Sequence, residues 1–167
     1  MIKFLVMDVD GTLTDGKIYM GNDGEIFKAF DVKDGCGIKD ILPKYGIIPV
    51  IITARESRML EKRCAELEIR EVHQGIRKKL DKLKEILRIY SGKDKTEYGL
   101  KDCAYIGDDI LDLQCMEPIK AAGGKSGCPG DAVREVVNKV DYVTESKGGA
   151  GAVREFIEWL VCLKPAN

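Results

Sequence analysis

Two aspartates, Asp8 and Asp10, follow the apolar run Phe4 to Met7 and lead into Gly11, Thr12, Leu13 and Thr14. Carboxylates that close repel one another unless a cation lies between them. An all-oxygen site suits a hard divalent ion, Mg²⁺ above all. The same pair can instead cap a turn, and a lone D-x-D does not choose between the two readings. Three segments downstream bear on the choice. Thr53 closes the run Pro49 to Ile52. Its hydroxyl and the amides beyond it can bond a phosphate at a helix start, or Thr53 can be that helix's N-cap. Lys79 stands among Arg77, Lys78, Lys82 and Lys84, with Asp81 and Glu85 interleaved. Mixed charge of this kind describes a solvated helix face, whereas a lysine turned inward would neutralise phosphate charge. Asp108, Asp109 and Asp112 follow the run Cys103 to Gly107. Helix capping needs one such acid, so the trio points further, to a metal shell completed by Asp108.

These side chains need a scaffold that brings them to one place. Phe4 to Met7, Val50 to Ile52 and Ala104 to Ile106 are continuous apolar runs, the pattern of parallel strands covered on both faces. The chemistry-bearing residues come at the carboxyl ends of these strands, where open α/β sheets bind ligands. Alternate strand residues share a face, so Asp8 and Asp10 are expected to converge. Pro49 lacks a ladder donor and belongs at the beginning of its strand. A helix is expected over about 56–66 and another from about Cys36 to Tyr45. Lys17 to Met20 and Glu25 to Phe30, around Gly21 to Gly24, predict a β-hairpin over about 17–30. Ser91 to Asp102 reads as a polar surface loop. Ala152 to Leu163 reads as an amphipathic helix behind the glycine cluster Gly148 to Gly151, which is either a linker or a segment with a role of its own. The expected fold class is α/β, a doubly wound (Rossmann-like) parallel sheet with a projecting β-hairpin, in a single domain over 1–167 with a C-terminal tail over about 147–167.

The ordered set D-x-D-G-T, strand-end Thr, Lys and G-D-D-x-x-D, from Asp8 to Asp112, resembles the haloacid dehalogenase superfamily. The resemblance implies that Asp8 is the nucleophile that takes a phosphoryl group. Asp10 would be the acid for the leaving alcohol and then the base for water. Thr53 and Lys79 would hold the phosphoryl oxygens. Asp8, Asp10 through its carbonyl, and Asp108 would bind Mg²⁺, with Asp109 and Asp112 as supporting acids. Substrate contacts would fall to Gly11, Thr12, Ala54, Arg55 and Arg154. An alkoxide is a poor leaving group and needs an acid, so Asp10 argues for a phosphatase or phosphomutase over a dehalogenase. The intervals from Asp10 to Thr53 and from Thr53 to Lys79 leave no room for a cap domain, which disfavours a mutase.

With Phe30-Asp31-Val32-Lys33-Asp34-Gly35-Cys36-Gly37 and Lys147 to Glu155, the chain is similar to one capless branch. That branch acts on the terminal phosphate of 2-keto-3-deoxy sugar acids, either 3-deoxy-D-manno-octulosonate 8-phosphate or sialic-acid-type 9-phosphates. The resemblance implies a phosphorylated sugar acid as the partner molecule and a homotetramer. It also implies that Gly148 to Arg154 lie beside a neighbouring subunit's site. A reading of another class is a non-catalytic oligomerisation or regulatory module associated with a cytidylyltransferase.

Global properties fit a soluble enzyme. Charged residues make up 33% of the 167-residue chain, hydrophobic residues 44%, and the formal net charge is −1. No nucleic-acid or membrane partner is implied. Met1 leads almost directly into the first apolar run, with no signal segment between. Six cysteines without C-x-x-C spacing suggest reduced thiols and a cytoplasmic setting. The single histidine, His73, excludes histidine-rich metal centres. Gly124-Lys125-Ser126 lacks P-loop spacing, which argues against nucleotide binding.

Overall fold

The computed structural model describes residues 1–163. Its strands are β1 (Phe4–Met7), β2 (Tyr19–Gly21), β3 (Gly24–Phe27), β4 (Ile48–Ile52), β5 (Glu71–His73), β6 (Cys103–Ile106), β7 (Lys125–Cys128) and β8 (Tyr142–Val143). The first strand and the last five form one sheet in the order β5-β4-β1-β6-β7-β8, parallel at every pairing. β2 and β3 form a separate antiparallel hairpin. The helices are α1 (Val32–Cys36), α2 (Arg58–Glu66), α3 (Lys79–Asp94), α4 (Leu113–Ala121), α5 (Arg134–Val137) and α6 (Ala152–Cys162).

β1 is fully buried because both its faces are covered. Leu5 and Met7 pack with Ile38, Leu42, Leu60, Cys64, Phe156 and Ile157 on the face of α1, α2 and α6. Phe4 and Val6 pack with Leu83, Ile86, Met116, Ile119 and Val136 on the face of α3, α4 and α5. This is the period-two alternation of a strand, with both sets apolar. From β1 the chain builds β4 and β5 on one side, then recrosses through α3 to β6 on the other. Such a reversal opens a crevice at the strands' carboxyl ends, and Asp8 lies there. Pro49 sits inside β4 without loss: Ile48 donates back to Lys3 of the β1 side, and pairing with β5 begins only at Val50.

Several expectations need correction. The helix expected from Cys36 begins at Val32, because the Asp31 carboxylate accepts from the Lys33 and Asp34 amides and caps it there. It continues as a π turn over Gly37–Ile41 and a 3₁₀ turn over Leu42–Tyr45, closed by Gly46 at φ 64°. The loop expected over Ser91 to Asp102 is partly helical: α3 runs to Asp94, and a 3₁₀ turn covers Leu100–Asp102. Tyr90 and Tyr98 pack edge-on against Phe4 at 5.1 and 5.2 Å, so tertiary packing overrides the polar composition. Phe30 packs against the core. Phe27 joins Ile18, Met20 and Ile26 as the exposed apolar set of the hairpin, with its ring stacked on Tyr19 at 4.2 Å. The lysine of Gly124-Lys125-Ser126 opens β7.

The Asp34 carboxylate, buried in α1, accepts from the Arg154 amide at 2.7 Å and so ties α1 to the first turn of α6. Burial pushes its pKa from 3.8 up to about 6. A folded-state pKa above the unfolded one means stability fully present below the unfolded value and lost as pH rises through the folded one. Asp34→Asn keeps an acceptor oxygen and removes that titration. Its stability relative to the parent should therefore rise by roughly 2 kcal/mol between pH 4 and pH 7. Urea unfolding of both proteins across that range measures it; a difference flat with pH would contradict the assignment.

Candidate active site

Four loops at the carboxyl end of the sheet supply the site. β1 stops at Met7 and the chain turns at once, with Leu13 and Thr14 amides donating back to the Val9 carbonyl. Asp10 therefore lies in a turn rather than a strand, and its carboxylate pairs with Lys28 and Arg55. Gly11 allows the turn: it sits at φ 95°, and a Cβ there would lie 2.1 Å from Oδ2 of Asp108. Backbone and carboxylate can approach this closely only where no side chain intervenes.

Asp8 faces Asp108 and Asp112, and one carboxylate oxygen from each lies within 4.8 Å of the others. Lys79, the first residue of α3, is buried beneath them. Its ammonium donates to Asp8 Oδ1 at 2.8 Å and to Asp112 Oδ1 at 2.7 Å. Burial works against this charge, yet the two carboxylates outweigh it and hold its pKa above the ordinary value. An ammonium has three N–H groups, so one remains for a phosphoryl oxygen.

Asp112 is the anchor of the cluster. Besides Lys79 it takes the Tyr105 hydroxyl at 2.7 Å on Oδ1, and the Asp108 and Asp109 amides at 3.1 and 3.2 Å on Oδ2. Four donors occupy its two oxygens, so it has little left to offer a metal. Asp8 and Asp108 remain the carboxylates able to ligate. Burial, then the charges of Asp8 and Asp112, push Asp108 up to about 7, against the Thr12 hydroxyl that donates to it at 3.0 Å. Burial and Asp112 push Asp8 up to about 6 despite Lys79. Repulsion that one ammonium does not relieve, among hard oxygen donors, is the environment a divalent cation fits.

The other expected residues divide. Thr53 is buried just beyond β4, and α2 is preceded by Ser57 as its N-terminal flank, so Thr53 is not that helix's cap. Thr12 is turned to Asp108 rather than outward to a substrate. Asp109 is exposed and bonds the Ile110 amide at 2.7 Å, an ordinary capping role. Ala54 is half-buried in the loop after Thr53. Arg55 lies 3.7 Å from both Asp10 Oδ2 and Glu25 Oε2. Lys28, just past β3, has its side chain 2% exposed and pairs with Asp10 Oδ1 and with Glu25 at 2.9 Å. Nothing in the order of residues marks Lys28 or Tyr105; only the fold carries them to the acids.

No protein-family model matches the chain. Individual relatives do. The chain is 41% identical over 160 residues to the 3-deoxy-D-manno-octulosonate 8-phosphate phosphatase KdsC of Escherichia coli (strain K12), covering 96% of this chain and 79% of that protein. The chain belongs to the KdsC family. Among solved structures, it superposes on the 3-deoxy-D-manno-octulosonate 8-phosphate phosphatase of Yersinia pestis with TM-score 0.83 and 40% identity, covering 96% and 81% of the two chains. It matches the Moraxella catarrhalis phosphatase in complex with magnesium, phosphate and KDO with TM-score 0.83 and 38% identity, covering 96% and 86%.

Within this KdsC-family chain the C-terminal glycine cluster has a local role. Gly148 and Gly149 press on the chain's own catalytic turn: a Cβ on Gly148 would stand 2.0 Å from the Gly11 carbonyl oxygen, and the Gly149 amide donates to the Thr12 carbonyl at 3.1 Å. The cluster is thus packed on the catalytic turn rather than a loose linker. Arg154 Nε donates to Glu158 at 2.6 Å. α6 behind it buries Phe156, Ile157 and Leu160 and belongs to the core.

Proposed function

We propose that this chain hydrolyses 3-deoxy-D-manno-octulosonate 8-phosphate to the free sugar acid and phosphate, with Mg²⁺ as cofactor. One observation carries the reading. Asp8 and Asp108 meet over buried Lys79, while Asp10 has cationic partners of its own in Lys28 and Arg55. This arrangement supports Asp8 as the acid beside the cation and Asp10 as the acid that moves protons. Asp8 attacks phosphorus; its oxygen–phosphorus bond forms as the bond to the sugar oxygen breaks. Asp10 gives its proton to that oxygen, because an alkoxide leaves poorly. Asp10 then takes a proton from the water that attacks the aspartyl-phosphate, releasing phosphate and restoring Asp8. The third N–H of Lys79 and the Thr53 hydroxyl hold phosphoryl oxygens in line. Mg²⁺, held by the Asp8 and Asp108 carboxylates with the Asp10 carbonyl, supplies the positive charge that the acid cluster lacks.

The exposed hairpin residues Ile18, Met20, Ile26 and Phe27 support a homotetramer with hairpins packed between subunits. No helix among the described residues is long and apolar enough to cross a membrane. All six cysteines are free, which suits a cytoplasmic enzyme.

The test is phosphate release from the eight-carbon 8-phosphate and from nine-carbon sialic-acid-type 9-phosphates, with Mg²⁺ and after EDTA. Turnover should favour the eight-carbon substrate, vanish with EDTA and return with Mg²⁺. Preference for a nine-carbon substrate would overturn the substrate assignment. Full activity without metal would overturn the role given to Asp108.

A further inference from the structure

We propose that Lys28 is a positioning residue for Asp10, carried to the site by the hairpin. This rests on the phosphatase reading above. Asp10 has no partner from the sheet's own loops comparable to what Asp8 finds in Lys79. Its Oδ1 pairs with the Lys28 ammonium, and its Oδ2 lies 3.7 Å from Arg55 Nε. Lys28 is 2% exposed at the side chain and Arg55 46%. The carboxylate is therefore tied inward through one oxygen and left toward the open side through the other. Glu25 completes the arrangement, its Oε1 in an ion pair with the Lys28 ammonium at 2.9 Å and its Oε2 facing Arg55 at 3.7 Å. Two acids and two bases alternate, so the lysine is compensated in its buried position.

The placement matters because β2 and β3 share no ladder with the main sheet. Asp10 lies in a turn, where a short side chain has several rotamers open to it. Proton delivery requires its carboxyl oxygen within hydrogen-bond reach of the leaving oxygen. A displacement of about 1 Å can cost roughly 10²-fold. Lys28 fixes one oxygen and thereby aims the other. Its ammonium pairs with Asp10 and Glu25, not with the acids Asp8 and Asp108, and it acts through Asp10. The hairpin that presents the exposed apolar face is thus also the element that sets the geometry of the acid.

The experiment compares the parent, K28M and K28R in single-turnover release of the leaving alcohol, from the sugar-acid phosphate and from 4-nitrophenyl phosphate. First-turnover release isolates the step in which Asp10 acts as acid, and 4-nitrophenolate needs little protonation. K28M should lower the alkyl-to-aryl rate ratio by roughly 10- to 10²-fold, with KM for the sugar-acid phosphate unchanged. K28R, which keeps a cation in a different shape, should lower the ratio by less, roughly threefold to tenfold. A general structural disturbance would depress both substrates alike and leave the ratio at the parent value. An unchanged ratio in either variant overturns the proposal, and K28R decides the matter alone should K28M not fold. A parent enzyme inactive on both phosphates would instead overturn the phosphatase reading itself.

Discussion

Asp8→Asn should lose at least roughly 10⁴-fold in turnover, the scale of removing a covalent nucleophile, and unfold within about 2 °C of the parent. The two halves of this expectation come from the same geometry. An amide oxygen at position 8 can still accept from Lys79, which keeps Asp112 as its second partner. The substitution also takes one negative charge out of a cluster in which Asp8, Asp108 and Asp112 crowd together. Lost hydrogen-bond strength and relieved repulsion offset each other. What cannot be replaced is the nucleophilic oxygen. Steady-state kinetics with thermal unfolding on the same preparation checks both halves. Turnover near the parent's would remove Asp8 from the role of nucleophile.

Lys79→Met should damage both activity and stability. Methionine follows the course of the lysine stem but leaves the Asp8 and Asp112 carboxylates facing one another in a buried site. Breaking a buried ion pair by removing one partner costs about 3–5 kcal/mol, which for a chain of this size lowers the unfolding temperature by roughly 10 °C. Loss of a charge aimed at the phosphoryl group costs a further roughly 10²- to 10³-fold in kcat. Tyr105 and the amides of Asp108 and Asp109 still hold Asp112, so the fold should survive at moderate temperature. Calorimetry and kcat measured together test the claim. A stable, slow variant would confine Lys79 to catalysis, and an unstable variant with parental kcat would confine it to the fold.

The contrast between what the sequence discloses and what it conceals follows from how each residue reaches the site. Asp8, Thr53 and Asp108 each follow an apolar run, and the strand before them places them, so strand ends mark them as candidates and the ordered set of motifs chooses between site and cap. Lys79 is indistinguishable by type from Lys78 and Lys82; only the order of motifs singles it out, and the start of α3 turns it inward. Strand alternation stops short of Asp10. β1 ends at Met7, and the Gly11 turn sends Asp10 to Lys28. Lys28 and Tyr105 reach their acids through tertiary packing, which leaves no periodic trace. The start of α1 at Val32 was legible in principle, since Asp31 is a good N-cap, but glycines at 35 and 37 weaken the helical pattern there. Gly148 and Gly149 read as a loop because composition does not report which backbone they touch.

The central claim is that Asp8 carries the phosphoryl group between two half-reactions. The most direct measurement uses Asp10→Asn, which lacks the base that lets water discharge the intermediate. After mixing with 4-nitrophenyl phosphate radiolabelled at phosphorus, whose leaving group needs little protonation, and Mg²⁺, and quenching in acid, label should remain on the protein in near-stoichiometric amount, and peptide mapping should place it on Asp8. Label on any other residue, or none at times when 4-nitrophenolate has already been released, would contradict the account.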